Sequence, residues 1–172
     1  KDGNAASLTS SIEFAFGSGI TVGGFFLNNQ LTDFSFFHKD KKGQVIANSV
    51  EPNKKPRSSM SPTLVFSNKE LIGVLGSPGG SRIICYVSKV LYEILFNNSS
   101  PQLAVESPHY CSRGEFTELE NNIDESLKKY LTGKGHKLKY KKMTSGLNII
   151  WKKNNEWHGI ADPRREGFAI GK

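Results

Sequence analysis

The stretch RSSMSPTLVFSNKELIGVLGSPGGSRIICYV, residues 57–87, holds the clearest pattern of strand and helix in the chain. Two short apolar runs, at 63–66 and 71–75, flank the turn-forming residues SNKE and predict a β-hairpin. After GSPGG the apolar residues recur every three or four positions, which predicts an amphipathic helix that ends near NNSSP. The chain therefore places a serine pair before a hairpin, and a glycine pair between that hairpin and a helix.

The glycine pair, Gly79 and Gly80, lies where a strand passes into a helix. Unpaired N–H groups and the helix dipole favour negative charge at a helix N-terminus, so GSPGG predicts an anion site or an oxyanion hole. The stretch matches neither the phosphate-binding GxxxxGK[ST] pattern nor the dinucleotide-binding GxGxxG pattern. A glycine turn that fits a close contact between helix and sheet is the alternative.

The serine pair, Ser58 and Ser59, precedes the first strand of the same hairpin. The two ends of an antiparallel pair meet at one edge of a sheet, so we expect the hairpin to bring the serines and the glycines to a shared edge. Two hydroxyls beside two free N–H groups suit a carboxylate next to an oxyanion. An ordinary loop cap is the alternative for the serines.

The rest of the chain predicts an α+β protein. Strands are expected at 5–12, 21–27, 137–140, 147–152 and 157–161, a second helix at 124–131, and a long surface loop at 38–57. There is no internal repeat and no linker, which predicts a single domain over 1–172. Asp2 and Gly3 form a hairpin-turn signal with no strand before it, so we expect that this domain lacks its first strand.

Composition argues against several classes of function. The 172 residues carry a formal charge of +7, but the basic residues form runs typical of solvated surfaces, and no nucleic-acid-binding module is present. No apolar run reaches the roughly 18 residues of a membrane span. Cys85 and Cys111 lack metal or redox spacing and are expected to be core thiols. The four histidines are dispersed, which argues against a metal site or a Ser-His-Asp triad.

Five motifs occur along the chain in a fixed order: FGSGI, LNNQLTDFS, PNKKPRSSMSPTLVF, GSPGGSRI and ADPRREG. Together, from Asp2 to Gly167, they resemble the small subunit of the gamma-glutamyltransferase (gamma-glutamyltranspeptidase) family of N-terminal nucleophile hydrolases. The resemblance implies one half of a four-layer αββα sandwich, a zymogen that cuts itself, and a large N-terminal subunit as partner. It also implies a periplasmic or secreted enzyme that needs no cofactor.

The resemblance implies a reaction as well. An N-terminal threonine, expected about one strand-length upstream of Lys1, would attack the γ-amide of glutathione or another γ-glutamyl compound, with its own α-amine as general base. The γ-glutamyl group would then pass from the threonine to water or to an amino acid. Without that threonine, this chain alone is expected to be inactive.

Further roles fall on residues that match the family's motifs. Gly79 and Gly80 would supply the oxyanion hole. Ser58 and Ser59 would bind the α-carboxylate of the substrate, and Gln30 and Asp33 would bind its α-ammonium. The hydroxyl of Ser11 would assist the nucleophile.

Glu13 departs from the family's pattern, because well-known transpeptidases have an asparagine at this position. A second carboxylate beside Asp33 would strengthen ammonium binding and disfavour a substrate that lacks the ammonium, such as a glutaryl amide. The alternative for Glu13 is a surface residue on an exposed strand. Two other functions stay open for the protein: a related cephalosporin or glutaryl-type amide acylase, and a catalytically inactive fragment of the fold.

Overall fold

The computed structural model of the protein describes residues 3–171 and divides into two compact units. One unit, here called the sheet unit, is formed by the described residues of Lys1–Thr9 and Ser59–Lys172. The other, here called the loop unit, is Ser10–Ser58. The serine pair thus lies at the point where the chain passes from the loop unit into the sheet unit.

Strands occur in runs that are separated by helices, and most strand pairs are antiparallel, which confirms the α+β prediction. The strands are β1 (Thr21–Val22), β2 (Phe25–Phe26), β3 (Thr63–Ser67), β4 (Glu70–Gly76), β5 (Tyr110–Arg113), β6 (Phe116–Leu119), β7 (Lys137–Tyr140), β8 (Asn148–Lys153) and β9 (Glu156–Ala161). The α-helices are α1 (Ile83–Leu95), α2 (Pro101–Glu106) and α3 (Glu125–Gly133).

A four-stranded antiparallel sheet, in the order β3-β4-β8-β9, carries the core of the sheet unit. One face of this sheet packs against α1 and α2. Apolar side chains recur at every second residue of the strands and at every third or fourth residue of the helices, so each element has one apolar face. The buried cluster includes Leu75, Ile149 and Ile160 from the strands and Tyr86 and Val90 from α1. Burying each such side chain stabilises the fold by about 1.5–3 kcal/mol.

The opposite face of the same sheet carries large apolar side chains that this chain leaves exposed. Leu64 of β3 is 41% exposed and Ile150 of β8 is 48% exposed, and both align with Val74 of the strand between them. The sheet therefore has helices on one face and, on the other, exposed apolar side chains beside the buried Val74. This is the arrangement of one half of a sandwich.

A second sheet, in the order β5-β6-β7, completes the sheet unit. Strands β6 and β7 are parallel, and α3 connects them. Asp124 caps the N-terminus of α3, because its carboxylate accepts the N–H of Ser126 at 2.6 Å. Similarly, the Ser100 hydroxyl accepts the N–H of Leu103 at the start of α2, where Pro101 occupies the first turn.

The structure confirms the hairpin 63–66/71–75, the helix after GSPGG, the helix near 124–131 and the three strands that follow it. The strand expected at 5–12 is wrong, because these residues make no strand ladder; the Ser7 hydroxyl instead bonds to Leu75 O and to Thr63 N. The expected strand at 21–27 is instead the hairpin of β1 and β2. The turn signal at Asp2 lies outside the described residues.

Cys85 and Cys111 are joined in a disulfide, so the expectation of core thiols is wrong. Cys85 lies on α1 and Cys111 lies on β5, with Cα atoms 5.6 Å apart and a sequence separation of 26. Sequence spacing gave no sign of this pair because only the packing of α1 against β5 brings the two residues together. The bond ties the principal helix to the second sheet.

The loop unit contains little regular structure: β1, β2 and a 3-10 helix at Gln30–Asp33. Polar side chains that bond to the backbone set its shape instead. The Asp40 carboxylate, for example, accepts the N–H groups of Lys42 at 2.8 Å and of Gln44 at 2.9 Å, which closes a tight loop. In the part of the chain that the structure describes, no helix is both long enough and apolar enough to cross a membrane.

Candidate active site

The glycine pair occupies the connection between β4 and α1, as expected. Gly79 has φ +140° and Gly80 has φ +57°, so both adopt backbone conformations that favour glycine. A Cβ atom on Gly79 would lie 2.5 Å from Cε2 of Tyr86, whereas one on Gly80 would meet no atom within 4 Å. Position 79 therefore admits no side chain without a shift of the core tyrosine.

The N–H groups of Gly79 and Gly80 make no hydrogen bond within residues 3–171. A short 3-10 helix at Gly80–Arg82 leads directly into α1, so both donors precede the positive end of a helix dipole. Arg82 fixes this loop, because its guanidinium forms a two-pronged pair with Glu118 of β6, at 2.6 and 2.8 Å. The arrangement offers two pre-organised donors to an anionic oxygen.

Ser59 and the glycine pair lie at the same edge of the four-stranded sheet. Thr63 at the start of β3 pairs with Leu75 near the end of β4, so the chain before β3 and the chain after β4 leave the sheet together. Ser59 is half-buried, and its carbonyl oxygen accepts the hydroxyl of Ser61 at 3.0 Å. Ser58, its neighbour in the chain, is exposed and belongs to the loop unit.

Glu13, Gln30 and Asp33 come together inside the loop unit. The Gln30 amide donates to the Asp33 carboxylate. The pKa of Glu13 is raised, first by its burial and then by the charge of Asp33 and a hydrogen bond with that carboxyl, while the charge of Arg57 opposes the rise. Two adjacent carboxyl groups and an amide oxygen form a site that suits a protonated amine.

Glu13 has an unusual backbone conformation, with φ +72°. Among side-chain-bearing residues, asparagine tolerates this left-handed region best, which gives a physical reason why an asparagine can stand at this position. The Ser11 hydroxyl oxygen accepts the N–H of Glu13 at 2.8 Å. Since that bond uses a lone pair, the hydroxyl hydrogen of Ser11 remains available to donate to another group.

Two asparagines that the sequence analysis missed hold the loop unit's candidate residues in place. Asn48 donates to the carbonyl of Asp33 at 2.6 Å and accepts the N–H of Arg57, the residue before Ser58, at 3.0 Å. Asn29 accepts the N–H of Phe14, the residue after Glu13, at 3.1 Å. Asparagines in irregular segments carry no periodic signal, so the sequence showed only that Asn29 lies in LNNQLTDFS and Asn48 in the loop 38–57.

The terminal motif ADPRREG forms a buried ionic network. Arg164 pairs with Glu120 through two bonds of 3.0 and 2.7 Å, contacts the Asp162 carboxylate at 3.2 Å, and donates to the carbonyl of Val105 at 3.0 Å. The last of these bonds caps a carbonyl near the end of α2. The motif therefore anchors α2 and the end of β9.

Lys89 and His109 border this network and are both buried. Burial above all lowers the pKa of Lys89 to about 8, although its ammonium donates to the carbonyls of Ala104 and Ser107. Burial, followed by the charges of Lys89 and Arg164, lowers the pKa of His109 to about 4. The His109 ring is thus neutral at physiological pH, and its two nitrogens have no partner among the described residues. Residues 3–171 contain no group of three or more His, Cys, Asp or Glu side chains able to hold a metal.

The fold of mixed helices and strands is that of an N-terminal nucleophile hydrolase. The sequence model of the gamma-glutamyltranspeptidase family matches residues 1–172, and the chain belongs to this family. The resemblance drawn from the five motifs is therefore confirmed.

Similar proteins include two curated enzymes and a solved structure. The chain is 37% identical to the glutathione hydrolase proenzyme of Bacillus subtilis (strain 168) over 98% of its own length, and 37% identical to that of Escherichia coli (strain K12) over 95%. It spans only 29% and 30% of these two proenzymes. A crystal structure of a Helicobacter pylori gamma-glutamyltranspeptidase mutant has 35% identity and a TM-score of 0.84, with 95% of each chain covered.

Proposed function

We propose that the protein transfers and hydrolyses γ-glutamyl groups of glutathione-like amides through a γ-glutamyl-threonine intermediate. The observation that carries this proposal is the proximity of the Glu13 and Asp33 carboxyl groups. The side-chain amide of Gln30 donates a hydrogen bond to the Asp33 carboxylate. A γ-glutamyl donor bears an α-ammonium that two adjacent carboxylates attract, and an acyl donor without the ammonium gains nothing from them. Membership of the gamma-glutamyltranspeptidase family supports the same reaction.

In this proposal the two units of the chain contribute different steps. Asp33, Glu13 and Gln30 bind the α-ammonium, and Ser58 and Ser59 bind the α-carboxylate. The N–H groups of Gly79 and Gly80 stabilise the oxyanion that forms when the γ-carbonyl is attacked, which in other enzymes contributes about 3–4 kcal/mol per donor. Because these donors are unpaired within the described residues, they need no rearrangement to receive the oxyanion.

The nucleophile in this proposal is an N-terminal threonine released by self-cleavage of a precursor, with its α-amine as general base. The threonine hydroxyl attacks the γ-carbonyl, and the amine accepts the hydroxyl proton and delivers it to the departing amide nitrogen. Water or an amino-acid amine then attacks the ester and restores the threonine. The Ser11 hydroxyl, with its hydrogen available, assists as a donor beside the nucleophile.

The remaining partner in this proposal is a large N-terminal subunit from the same precursor, since the relatives are proenzymes about three times as long as the matched region. The exposed apolar side chains of Leu64 and Ile150 suit contact with a second sheet from that subunit. The Cys85–Cys111 disulfide supports a periplasmic or secreted location, because such bonds persist in oxidising compartments.

The proposal is tested with the full-length gene product after self-cleavage. We expect it to release p-nitroaniline from L-γ-glutamyl-p-nitroanilide far faster than from glutaryl-p-nitroanilide, which lacks only the α-amino group. Asp33→Asn should raise KM for the γ-glutamyl donor about ten-fold, since a charge-assisted contact is lost. Gln44→Ala, a loop-unit amide without a side-chain hydrogen bond in the described chain, is the matched control and should match wild type.

Two results would overturn the proposal. Equal turnover of both anilides by the wild-type enzyme would show that the α-ammonium is not recognised, and would favour a glutaryl-type acylase. An unchanged KM in Asp33→Asn would remove the residue from the site.

A further inference from the structure

Asn29 makes an unusual set of contacts for a residue that immediately precedes a helical turn. An asparagine in this position normally accepts N–H groups of the turn that follows. The side chain of Asn29 caps no such group of the 3-10 helix at Gln30–Asp33. Its amide oxygen instead accepts the N–H of Phe14 at 3.1 Å, fifteen residues earlier in the chain.

The backbone of Asn29 contacts the same segment. Its N–H donates to the carbonyl of Ile12 at 3.2 Å, so Asn29 holds the residue before Glu13 and the residue after it. The Asn29 amide nitrogen donates to the Thr32 hydroxyl oxygen at 3.2 Å, and that hydroxyl donates to the Asn29 carbonyl at 2.8 Å. The side chain is therefore fixed at both ends, by Phe14 on one side and by Thr32 on the other.

The chemistry of the partners settles the orientation of the amide. The Phe14 N–H is only a donor, so it must face the amide oxygen of Asn29. The Thr32 hydroxyl gives its hydrogen to the Asn29 carbonyl, so it presents lone pairs to the amide nitrogen. Reversing the amide would lose both bonds.

Glu13 needs this support because its backbone is strained. A residue with a branched or long side chain at φ +72° costs about 1–2 kcal/mol relative to the ordinary regions. Such a conformation persists only where neighbouring contacts impose it, and here Asn29 and the Ser11 hydroxyl bond to the peptide groups around Glu13.

We propose that Asn29 is a positioning residue that holds Glu13 in its left-handed conformation and so keeps the Glu13 carboxyl beside Asp33. The same asparagine begins the turn that ends in Asp33, so one side chain couples the two carboxyl groups that recognise the donor's α-ammonium. The inference rests on the proposed function. It goes beyond it by assigning selectivity for the α-amino group to a residue that does not touch the substrate.

The test measures the selectivity ratio, which is kcat/KM for L-γ-glutamyl-p-nitroanilide divided by kcat/KM for glutaryl-p-nitroanilide, in the processed full-length enzyme. This ratio is independent of the fraction of active enzyme, so a loss of stability alone leaves it unchanged. We expect Asn29→Ala to lower the ratio about ten-fold, as expected for a misplaced charged contact. Asn29→Asp keeps the oxygen that accepts the Phe14 N–H, and the Thr32 hydroxyl can turn to donate to its second oxygen, so the ratio should stay within about two-fold of wild type.

Three further measurements make the test decisive. Gln44→Ala should keep the wild-type ratio. In a Glu13→Asn background, which has no carboxylate at position 13 for Asn29 to hold beside Asp33, Asn29→Ala should lower the ratio no further, because residues acting through one another are not additive. If Asn29→Ala yields no processed enzyme, Asn29→Gln, which only displaces the amide by one methylene, should lower the ratio in its place.

A wild-type ratio in Asn29→Ala or Asn29→Gln would overturn the inference, as would an equal loss in the Glu13→Asn background. These failures differ from failure of the proposed function, in which the wild-type enzyme itself shows no preference for the γ-glutamyl donor.

Discussion

The sheet unit and the loop unit are held together by different forces. The sheet unit buries a continuous apolar cluster between α1, α2 and the four-stranded sheet. In the loop unit, Phe34 is the one large apolar side chain buried among the described residues, while Phe14, Phe36 and Phe37 are more than 60% exposed. Polar side chains such as Asn29 and Asn48 bond to the backbone and replace the missing core.

This difference suggests that the sheet unit determines the stability of the chain and that the loop unit determines the substrate selectivity that we propose. Apolar burial contributes most of a domain's stability, and it is insensitive to the orientation of single polar groups. A segment fixed by hydrogen bonds from side chains depends on each bond, but it can place carboxyl groups in conformations that a regular strand does not allow. Substitutions in the sheet unit should therefore change the free energy of unfolding, and substitutions in the loop unit should change substrate selectivity.

The largest expected effect is on stability and belongs to the disulfide of the sheet unit. Replacing both Cys85 and Cys111 by alanine removes a cross-link between residues 26 positions apart. The free energy of unfolding should fall by about 3.5 kcal/mol, chiefly because the unfolded chain gains conformational entropy. Urea denaturation measures this change. Wild type treated with reductant should approach the variant, and the selectivity ratio of the processed enzyme should stay unchanged. Equal midpoints for oxidised wild type and variant would contradict the disulfide.

The next effect is the acid sensitivity of the sheet unit. The folded-state pKa of His109 is lowered to about 4, from an ordinary value near 6.5. Between these two values the unfolded chain binds a proton that the folded chain does not, so stability falls as pH falls from 6.5 to 4. The contribution of this residue is at most about 3 kcal/mol.

His109→Phe isolates that contribution. The ring packs against Tyr86 at a centroid distance of 4.7 Å and its nitrogens have no described partner, so an apolar ring should fit. Lys89, Arg164, Glu120 and Asp162 face this region and keep their charges in the variant. Urea midpoints between pH 4.5 and 7 should therefore vary less in His109→Phe than in wild type. Parallel pH profiles would exclude His109 as the cause.

The sequence predicted the sheet unit better than the loop unit, for the same physical reason. Apolar periodicity identified β3, β4 and α1 because burial imposes that periodicity. It missed α2, although Ser100 and Pro101 form a start signal, because six residues are too few to show a helical period. The hairpin of β5 and β6 was also missed, because β5 contributes one apolar core residue, Cys111.

In the candidate site, too, the sequence predicted some features and missed others. The motif resemblance identified Glu13 and Asp33, but the left-handed backbone of Glu13 depends on contacts with Asn29 and Ser11 that no local pattern encodes. The disulfide likewise follows from the packing of α1 against β5. Tertiary contacts fix these features, and a linear reading of residue types cannot anticipate them.

A smaller effect is expected at the glycine pair, which we propose as the oxyanion site of the sheet unit. Gly79→Ala should lower kcat about hundred-fold with little change in KM, because the added Cβ would lie 2.5 Å from Tyr86 Cε2 and would displace an oxyanion donor. Gly80→Ala is the matched control. Its Cβ meets no atom within 4 Å, so it should lose less activity. Steady-state kinetics with the γ-glutamyl anilide decide between the two, and an equal loss at both positions would contradict the geometry.

The smallest expected effect belongs to the loop unit and concerns the pH dependence of selectivity. Burial, followed by the nearby Asp33, raises the pKa of Glu13 above its ordinary value of 4.5. As pH falls through this raised pKa, Glu13 takes up a proton and its attraction for the donor's α-ammonium is lost. The selectivity ratio between the γ-glutamyl and glutaryl anilides should therefore fall toward acid pH in the wild-type enzyme.

Glu13→Asn is the sharpest variant for this test because asparagine accepts the backbone conformation at φ +72° while removing the charge. The ratio should be about ten-fold lower than in wild type at pH 8 and should vary less toward acid pH. Titration of the nucleophile's amine affects both anilides alike and cancels in the ratio, and the Asp33 carboxyl is present in both enzymes, so the difference between the two profiles belongs to Glu13. Its free energy of unfolding should be no lower than that of wild type, because asparagine relieves part of the backbone strain at this position and the loop unit contributes little to the apolar core. Identical pH profiles of the ratio would place Glu13 outside the ammonium site, and a large loss of stability would show that the loop unit carries more of the fold than its contacts indicate.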